Sequence, residues 1–231
     1  MSTGQSDPVQ TWSPNYGDRR GGVLPDMIVL HYTGMESAEA ALERLCDPVA
    51  EVSCHYLIAG DGRIWQLVDE AQRAWHAGAG QWGGVTDVNS RSIGIELANL
   101  GTHPFAAPQM AALEEVMRGI MARWSIRPER VIAHSDMAPE RKSDPGPRFD
   151  WRRLARQGLS IWPQEGDPQG QGFDTLATAF GYPPDAPQSA RLRAFRDRFH
   201  PEASGPVSDA DLQRLADLAT RYPVDASVLN A

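Results

Sequence analysis

Met27-Ile28-Val29-Leu30-His31-Tyr32-Thr33-Gly34 is a short apolar run closed by a turn signal, which reads as a buried β-strand ending on a histidine. Downstream, Ser37 to Leu45 predicts a helix with Ser37 as its N-cap and Asp47-Pro48 as its stop. His55-Tyr56-Leu57-Ile58 and Arg63-Ile64-Trp65-Gln66-Leu67-Val68 flank Ala59-Gly60-Asp61-Gly62, and Asp-Gly between apolar runs predicts a hairpin. In Ser92-Ile93-Gly94-Ile95-Glu96-Leu97-Ala98-Asn99 the apolar residues alternate with Gly94, Glu96 and Ala98, a period of two that puts Glu96 on the face opposite the isoleucines. Leu113, Val116, Met117, Ile120, Met121 and Trp124 recur at helical spacing, so Pro108 to Trp124 is an amphipathic helix. Arg130-Val131-Ile132-Ala133-His134 is a further strand that ends on a histidine. Upstream, residues 1–26 carry Pro14, Gly17, Gly21, Gly22 and Pro25 and read as an extended arm. The resulting fold class is α/β, a mixed central β-sheet flanked by helices.

After Trp151 the texture changes. Residues 163–172 form a polar Pro/Gly-rich linker. Three helical patterns follow, Phe173 to Phe180 with Gly181 as its stop, Ser189 to Phe199, and Asp209 to Arg221. The last opens on Ser208-Asp209-Ala210-Asp211, a capping-box variant. The predicted organisation is an arm (1–26), a main domain (27–162), the linker (163–172) and a small separate three-helix module (173–231).

With 231 residues, 41% of them hydrophobic, the chain is long enough to bury a substantial core. Its 22 basic and 30 acidic residues give a net charge of −8, so no global basic field exists to attract nucleic acid or anionic lipid. Two cysteines, Cys46 and Cys54, exclude a disulfide framework and a cysteine-based zinc site, leaving one optional bridge. Residues 1–8 lack a basic and an apolar signal region, and no run approaches the roughly 18 apolar residues of a membrane-spanning helix. The expectation is a cytoplasmic protein, or a periplasmic one if an export segment has been removed.

His31 and His134, each closing an apolar run, can meet at the carboxyl edge of one sheet. Ala138-Pro139-Glu140-Arg141-Lys142-Ser143-Asp144-Pro145-Gly146-Pro147 is a rigid loop that presents Lys142 and Asp144 close after His134. Two neutral imidazoles, one carboxylate and an open fourth position make a catalytic zinc set, because zinc accepts N and O ligands and needs a place for water. Glu96 is then the general base. Lys142 is suited to stabilise the negative charge that attack on an amide builds on the carbonyl oxygen. It is the single lysine among the 22 basic residues, the others all being arginine.

At these residues the sequence resembles the zinc-dependent type 2 N-acetylmuramoyl-L-alanine amidase family, which also contains phage amidases and peptidoglycan recognition proteins. The matching stretches are Ile28 to Thr33, Ser53 to Ile58, Ala74-Trp75-His76-Ala77-Gly78, Ser92 to Leu97 and His134 to Pro147, in family order. The resemblance implies Zn2+ held by His31, His134 and Asp144, with Glu96 as base and Lys142 as oxyanion stabiliser. Asp144 stands where phage amidases and animal recognition proteins use cysteine, which points to the bacterial branch acting on muropeptides and anhydro-muropeptides. The tail resembles a helical peptidoglycan-binding module, with Leu192 to Phe199 as its core.

Trp75 and His76 in the glycine-rich loop are candidates to meet a sugar or peptide face, and Asn99 a candidate to hydrogen-bond a stem peptide. His55 reads as structural. Arg191, Arg193, Arg196 and Arg198 make the second tail helix basic, a solvated face or a contact for stem-peptide carboxylates. The alternatives to an amidase are a peptidoglycan-binding protein without activity, which predicts a degraded metal set, and a zinc amidase acting on an unrelated peptide.

Overall fold

The computed structural model describes residues 8–224. Two short strands precede the first long one: β1 (Val9–Gln10) and β2 (Tyr16–Gly17) lie in the arm. β3 (Met27–Tyr32) leads into α1 (Ala38–Cys46), where the Ser37 side chain accepts from the Ala40 N–H at 3.1 Å. β4 (Tyr56–Ile58) and β5 (Ile64–Gln66) form the expected antiparallel hairpin. Its turn needs Gly62, whose φ of +93° is left-handed and whose N–H donates to Ala59 O at 3.0 Å. β6 (Arg73–Ala74) and the one-turn α2 (Val88–Arg91) come before β7 (Ser92–Leu97). α3 (Ala107–Trp124) ends where Ser125 turns left-handed and donates its N–H to Met121 O. β8 (Val131–Ala133) runs straight into α4 (His134–Met137), and α5 (Trp151–Arg156) follows the loop.

The main sheet has the order β1-β5-β4-β7-β3-β8, and only the β4–β5 pairing is antiparallel. β2 pairs with β6 apart from it. The arm therefore supplies the sheet's edge strand, pairing Val9 with Trp65, in addition to leading into β3.

Alternation along the strands sorts the core. Ile28, Leu30, Ile93, Ile95 and Leu97 are fully buried on one face against Leu113, Met117 and Ile120 of α3. Each such burial contributes about 1.5–3 kcal/mol. On the opposite face, α1 covers the β4–β5 side through Ala41 and Leu45 against Leu57 and Trp65. The three tail helices, α6 (Phe173–Phe180), α7 (Gln188–Phe199) and α8 (Asp209–Arg221), cover the β3–β8 side.

The tail helices have the predicted bounds to within one residue, but they do not close on one another alone. Phe173, Phe180, Tyr182, Phe195, Phe199 and Leu215 share one apolar cluster with Met27, Val29 and Ile132 of the sheet and with Trp82. The arginines of α7 also differ from the expected solvated face. Arg191 pairs with Asp174 at 2.6 Å, Arg196 with Asp211 at 2.6 Å and Arg198 with Asp136 at 2.5 Å, and all three are buried. Breaking such a pair strands a buried charge, at a cost of about 3–5 kcal/mol. Cys46 and Cys54 are free thiols, the second buried. No helix among the described residues is long and apolar enough to cross a membrane.

Candidate metal centre

Between the parts of that face covered by α1 and by the tail, the carboxyl ends of β3 and β7 are left for a site. His31 continues the Met27, Val29 parity of β3, and in register beside it on β7 stands Glu96. His134 opens α4 directly after β8. The loop then folds back, with the Ser135 N–H donating to Asp144 O at 3.0 Å, which sets Asp144 against both histidines.

His31 Nδ1 and His134 Nδ1 are 2.9 Å apart, and each lies 3.0 Å from Asp144 Oδ2. The far nitrogens of the two rings fix what these near atoms carry. Ser92 Oγ donates to Val88 O at 2.6 Å, so toward His76 Nε2, 3.2 Å away, it accepts. His76 is then protonated on Nε2 and offers a bare Nδ1 to His31 Nε2–H at 3.1 Å. His134 Nε2 faces the Ala77 carbonyl at 2.9 Å and must donate to it. With Nε2 carrying the proton of each neutral ring, the Nδ1 atoms are the bare ones, and two imidazole lone pairs converge with a carboxylate. Such an arrangement repels itself unless a cation sits among the three, and its donor chemistry fits a divalent metal.

The electrostatics agree. Burial, reinforced by His134, lowers His31 to about 4, so its ring is neutral at physiological pH. Burial works against ionisation of Asp144, but its closeness to His134 and His31 outweighs it and holds the carboxyl well below the usual range. Glu96 moves the other way. Burial, with Asp144 adding, pushes it up to about 8 against the pull of Lys142. Its buried Oε2 has no hydrogen-bond partner among the described residues, as expected of a group kept for a reacting proton. A cation in the triad would draw that value down.

The centre lies in a cleft of about 660 Å³ whose walls include Tyr32, Arg44, Trp75, Glu96, Arg141 and Lys142. A slightly larger groove of about 750 Å³, bounded by Phe105, Arg152, Trp162 and Arg214, holds none of these three residues, His31, His134 and Asp144.

His31, His134 and Asp144 thus come together, with Glu96, Lys142 and Trp75 around them. His76 has a different part from the one expected. It lines the cleft, but it is 9% exposed and its ring nitrogens are engaged with His31 and Ser92, which places it to orient His31. Gly94 makes room for it, since a Cβ there would lie 2.3 Å from the His76 ring. Asn99 is absent from the cleft wall, and its Oδ1 instead accepts the Gly101 N–H at 2.7 Å within a turn. His55 is structural, accepting from Gly94 N–H at 3.0 Å. Ser92 and the Ala77 carbonyl were not foreseen, because a serine opening a strand and a backbone oxygen carry no signal of their own.

The sequence pattern of the N-acetylmuramoyl-L-alanine amidase family (Amidase_2) matches residues 21–147. N-acetylmuramoyl-L-alanine amidase AmiD of Escherichia coli is 38% identical over 86% of this chain and 84% of its own length. The structure of that enzyme in complex with the substrate anhydro-N-acetylmuramic acid-L-Ala-D-γ-Glu-L-Lys superposes with a TM-score of 0.75 at 34% identity, covering 90% of this chain and 98% of the other. AMPDH3 of Pseudomonas aeruginosa in complex with an anhydromuramic pentapeptide gives a TM-score of 0.78 at 30% identity, over 97% and 100% of the two chains.

Proposed function

The chain belongs to the N-acetylmuramoyl-L-alanine amidase family, and from that premise we propose that it cleaves N-acetylmuramic acid, notably its 1,6-anhydro form, from the L-alanine of peptidoglycan fragments. The observation that carries the reading is the convergence of two bare Nδ1 atoms and the Asp144 carboxylate beside an unpartnered Glu96. A non-catalytic binding protein would have no use for that set.

His31, His134 and Asp144 would hold zinc, which when bound supplies a Lewis acid and a water of lowered pKa. Glu96 takes the proton of the attacking water and delivers it to the amine nitrogen as the C–N bond breaks. Lys142, on the same cleft wall, offers its ammonium to the negative charge developing on the carbonyl oxygen. Trp75 gives the cleft a flat apolar wall for the sugar or the stem peptide. Residues 27–162 are the catalytic region in this reading, and the helices between Phe173 and Arg221 serve the same class of substrate; the end of the expected 173–231 module, residues 225–231, lies outside the described residues.

The test is a mass-spectrometric time course on a MurNAc-peptide and its 1,6-anhydro form, with the protein as purified, after chelation, and after zinc is restored. Release of an intact peptide beginning with L-alanine, lost on chelation and regained with zinc, is expected. Stoichiometric zinc with the fragment retained but uncut would replace the enzyme with a binding protein.

A further inference from the structure

The segment from His134 to Asp144 carries two of the three ligands and Lys142. Within it the Ser135 N–H donates to Asp144 O, Ala138 N–H to His134 O, and the Arg141 and Lys142 N–H groups to Ala138 O. Arg141 also ties it to the Ala77 and Ala79 carbonyls, and the Gln81 N–H donates to Met137 O at 2.8 Å. A further set of ties comes from α7, more than fifty residues later in the chain. Arg198 Nη1 donates to Asp136 Oδ2 at 2.5 Å while Nη2 donates to Val131 O at 2.7 Å, so one guanidinium ties β8 to the turn that starts on His134. Asp136 is fully buried, and its remaining capacity is filled by Ala133 N–H and the Tyr182 hydroxyl, both at 2.8 Å. The Arg198 guanidinium carbon lies over the rings of Trp151 and Phe199, 4.4 and 4.6 Å from their centres. Five residues earlier, Arg193 Nη2 donates to Lys142 O at 2.8 Å and to Pro139 O.

We propose that Arg198, acting through Asp136, and Arg193, acting through the loop carbonyls, are positioning residues for His134 and Lys142. The helical tail is then part of the apparatus that cuts even a small soluble fragment. This rests on the metal-hydrolase reading above. It differs from a wall-attachment role, which would leave soluble fragments unaffected, and from simple packing, because Arg193 is exposed and its hydrogen bonds among the described residues go to the loop's backbone oxygens.

Full-length Arg193→Met, Arg198→Met, Arg198→Lys and Arg191→Met variants test it. Arg191 is the control, since it lies on α7 and is buried but pairs with Asp174 inside the tail. Three quantities are read: zinc affinity against a chromogenic chelator, kcat and KM on a soluble anhydro-muropeptide, and the thermal midpoint. Arg198→Met should weaken zinc binding about 10- to 100-fold, with Arg198→Lys recovering part of it. Arg193→Met should lower kcat by about 10- to 100-fold with KM, zinc affinity and thermal midpoint unchanged, as expected for a misplaced catalytic group. Arg191→Met should lower the thermal midpoint alone. Wild-type kcat in Arg193→Met, together with Arg198→Met behaving like Arg191→Met, would overturn the proposal. Should Arg198→Met fail to fold, the Arg193→Met split decides. A wild-type chain that binds zinc but releases no peptide would remove the amidase reading, and the zinc affinities would still decide the role of Arg198.

Discussion

The two histidines of the centre stand at similar places, each at the carboxyl end of a strand, but are held by different means. His31 is the last residue but one of β3, flanked by β7 and β8, and its far nitrogen is governed by the side-chain relay through His76 to Ser92. His134 follows β8 at the sheet's edge, where its far nitrogen meets a backbone carbonyl and its turn is tied to α7. The first arrangement can be dismantled one side chain at a time. In the second, the Ala77 oxygen cannot be removed by substitution, only displaced, and the support lies in a distant part of the chain.

At the level of the ligands themselves the two ends should be equal. His31→Ala, His134→Ala and Asp144→Ala should each lose stoichiometric zinc, measured by elemental analysis, and drop peptide release to background; retention of zinc in any of them would remove that residue from the set. Next in size, Glu96→Gln and Lys142→Ala should keep zinc while kcat falls about 10²- to 10⁴-fold. Zinc lost along with activity would instead make Glu96 a ligand.

The contrast sharpens at the relay. His76→Ala should weaken zinc binding about 10- to 100-fold. Gly94→Ala should do the same without touching a polar group, because its Cβ would fall 2.3 Å from the His76 ring. Unchanged affinity in both would mean that the strand alone holds His31.

The smallest effect concerns pH. Burial keeps His31 and, with Arg19 adding, His55 neutral, at about 4 and about 3, while unfolding returns each toward about 6.5. Between those values the two histidines bind more protons in the unfolded chain and together outweigh Glu96, which at about 8 keeps one proton in the fold, so stability of the metal-free protein should fall as pH drops from about 6.5 toward 4. Urea midpoints at pH 7 and pH 5 measure it, and a higher midpoint at pH 5 would contradict the neutral assignment.

Much of this was legible because the residues follow simple periods. The alternation in Ser92 to Leu97 set Glu96 opposite the α3 face, and the three tail helices announced their bounds through helical spacing and the Ser208 cap. The metal-compatible set was legible by chemistry, two imidazoles and a carboxylate near one lysine. What stayed hidden depends on partners remote in sequence. Val9–Gln10 is too short to show a period and is a strand only because β5 lies beside it. His76 owes its part to the space over Gly94. Arg191, Arg196 and Arg198 of α7 look solvated by residue type, and only Asp174, Asp211 and Asp136 folded against them make them internal.

The sheet that carries the centre begins and ends in very short strands, two residues in β1 and three in β8. Unpaired backbone groups at a sheet margin invite a neighbouring chain to add a strand, and the invitation scales with the length of regular ladder on offer. Here neither margin offers enough to template a foreign strand. The sheet is closed to growth sideways, which favours resistance to aggregation during folding and leaves the cleft as the place where this face meets other molecules.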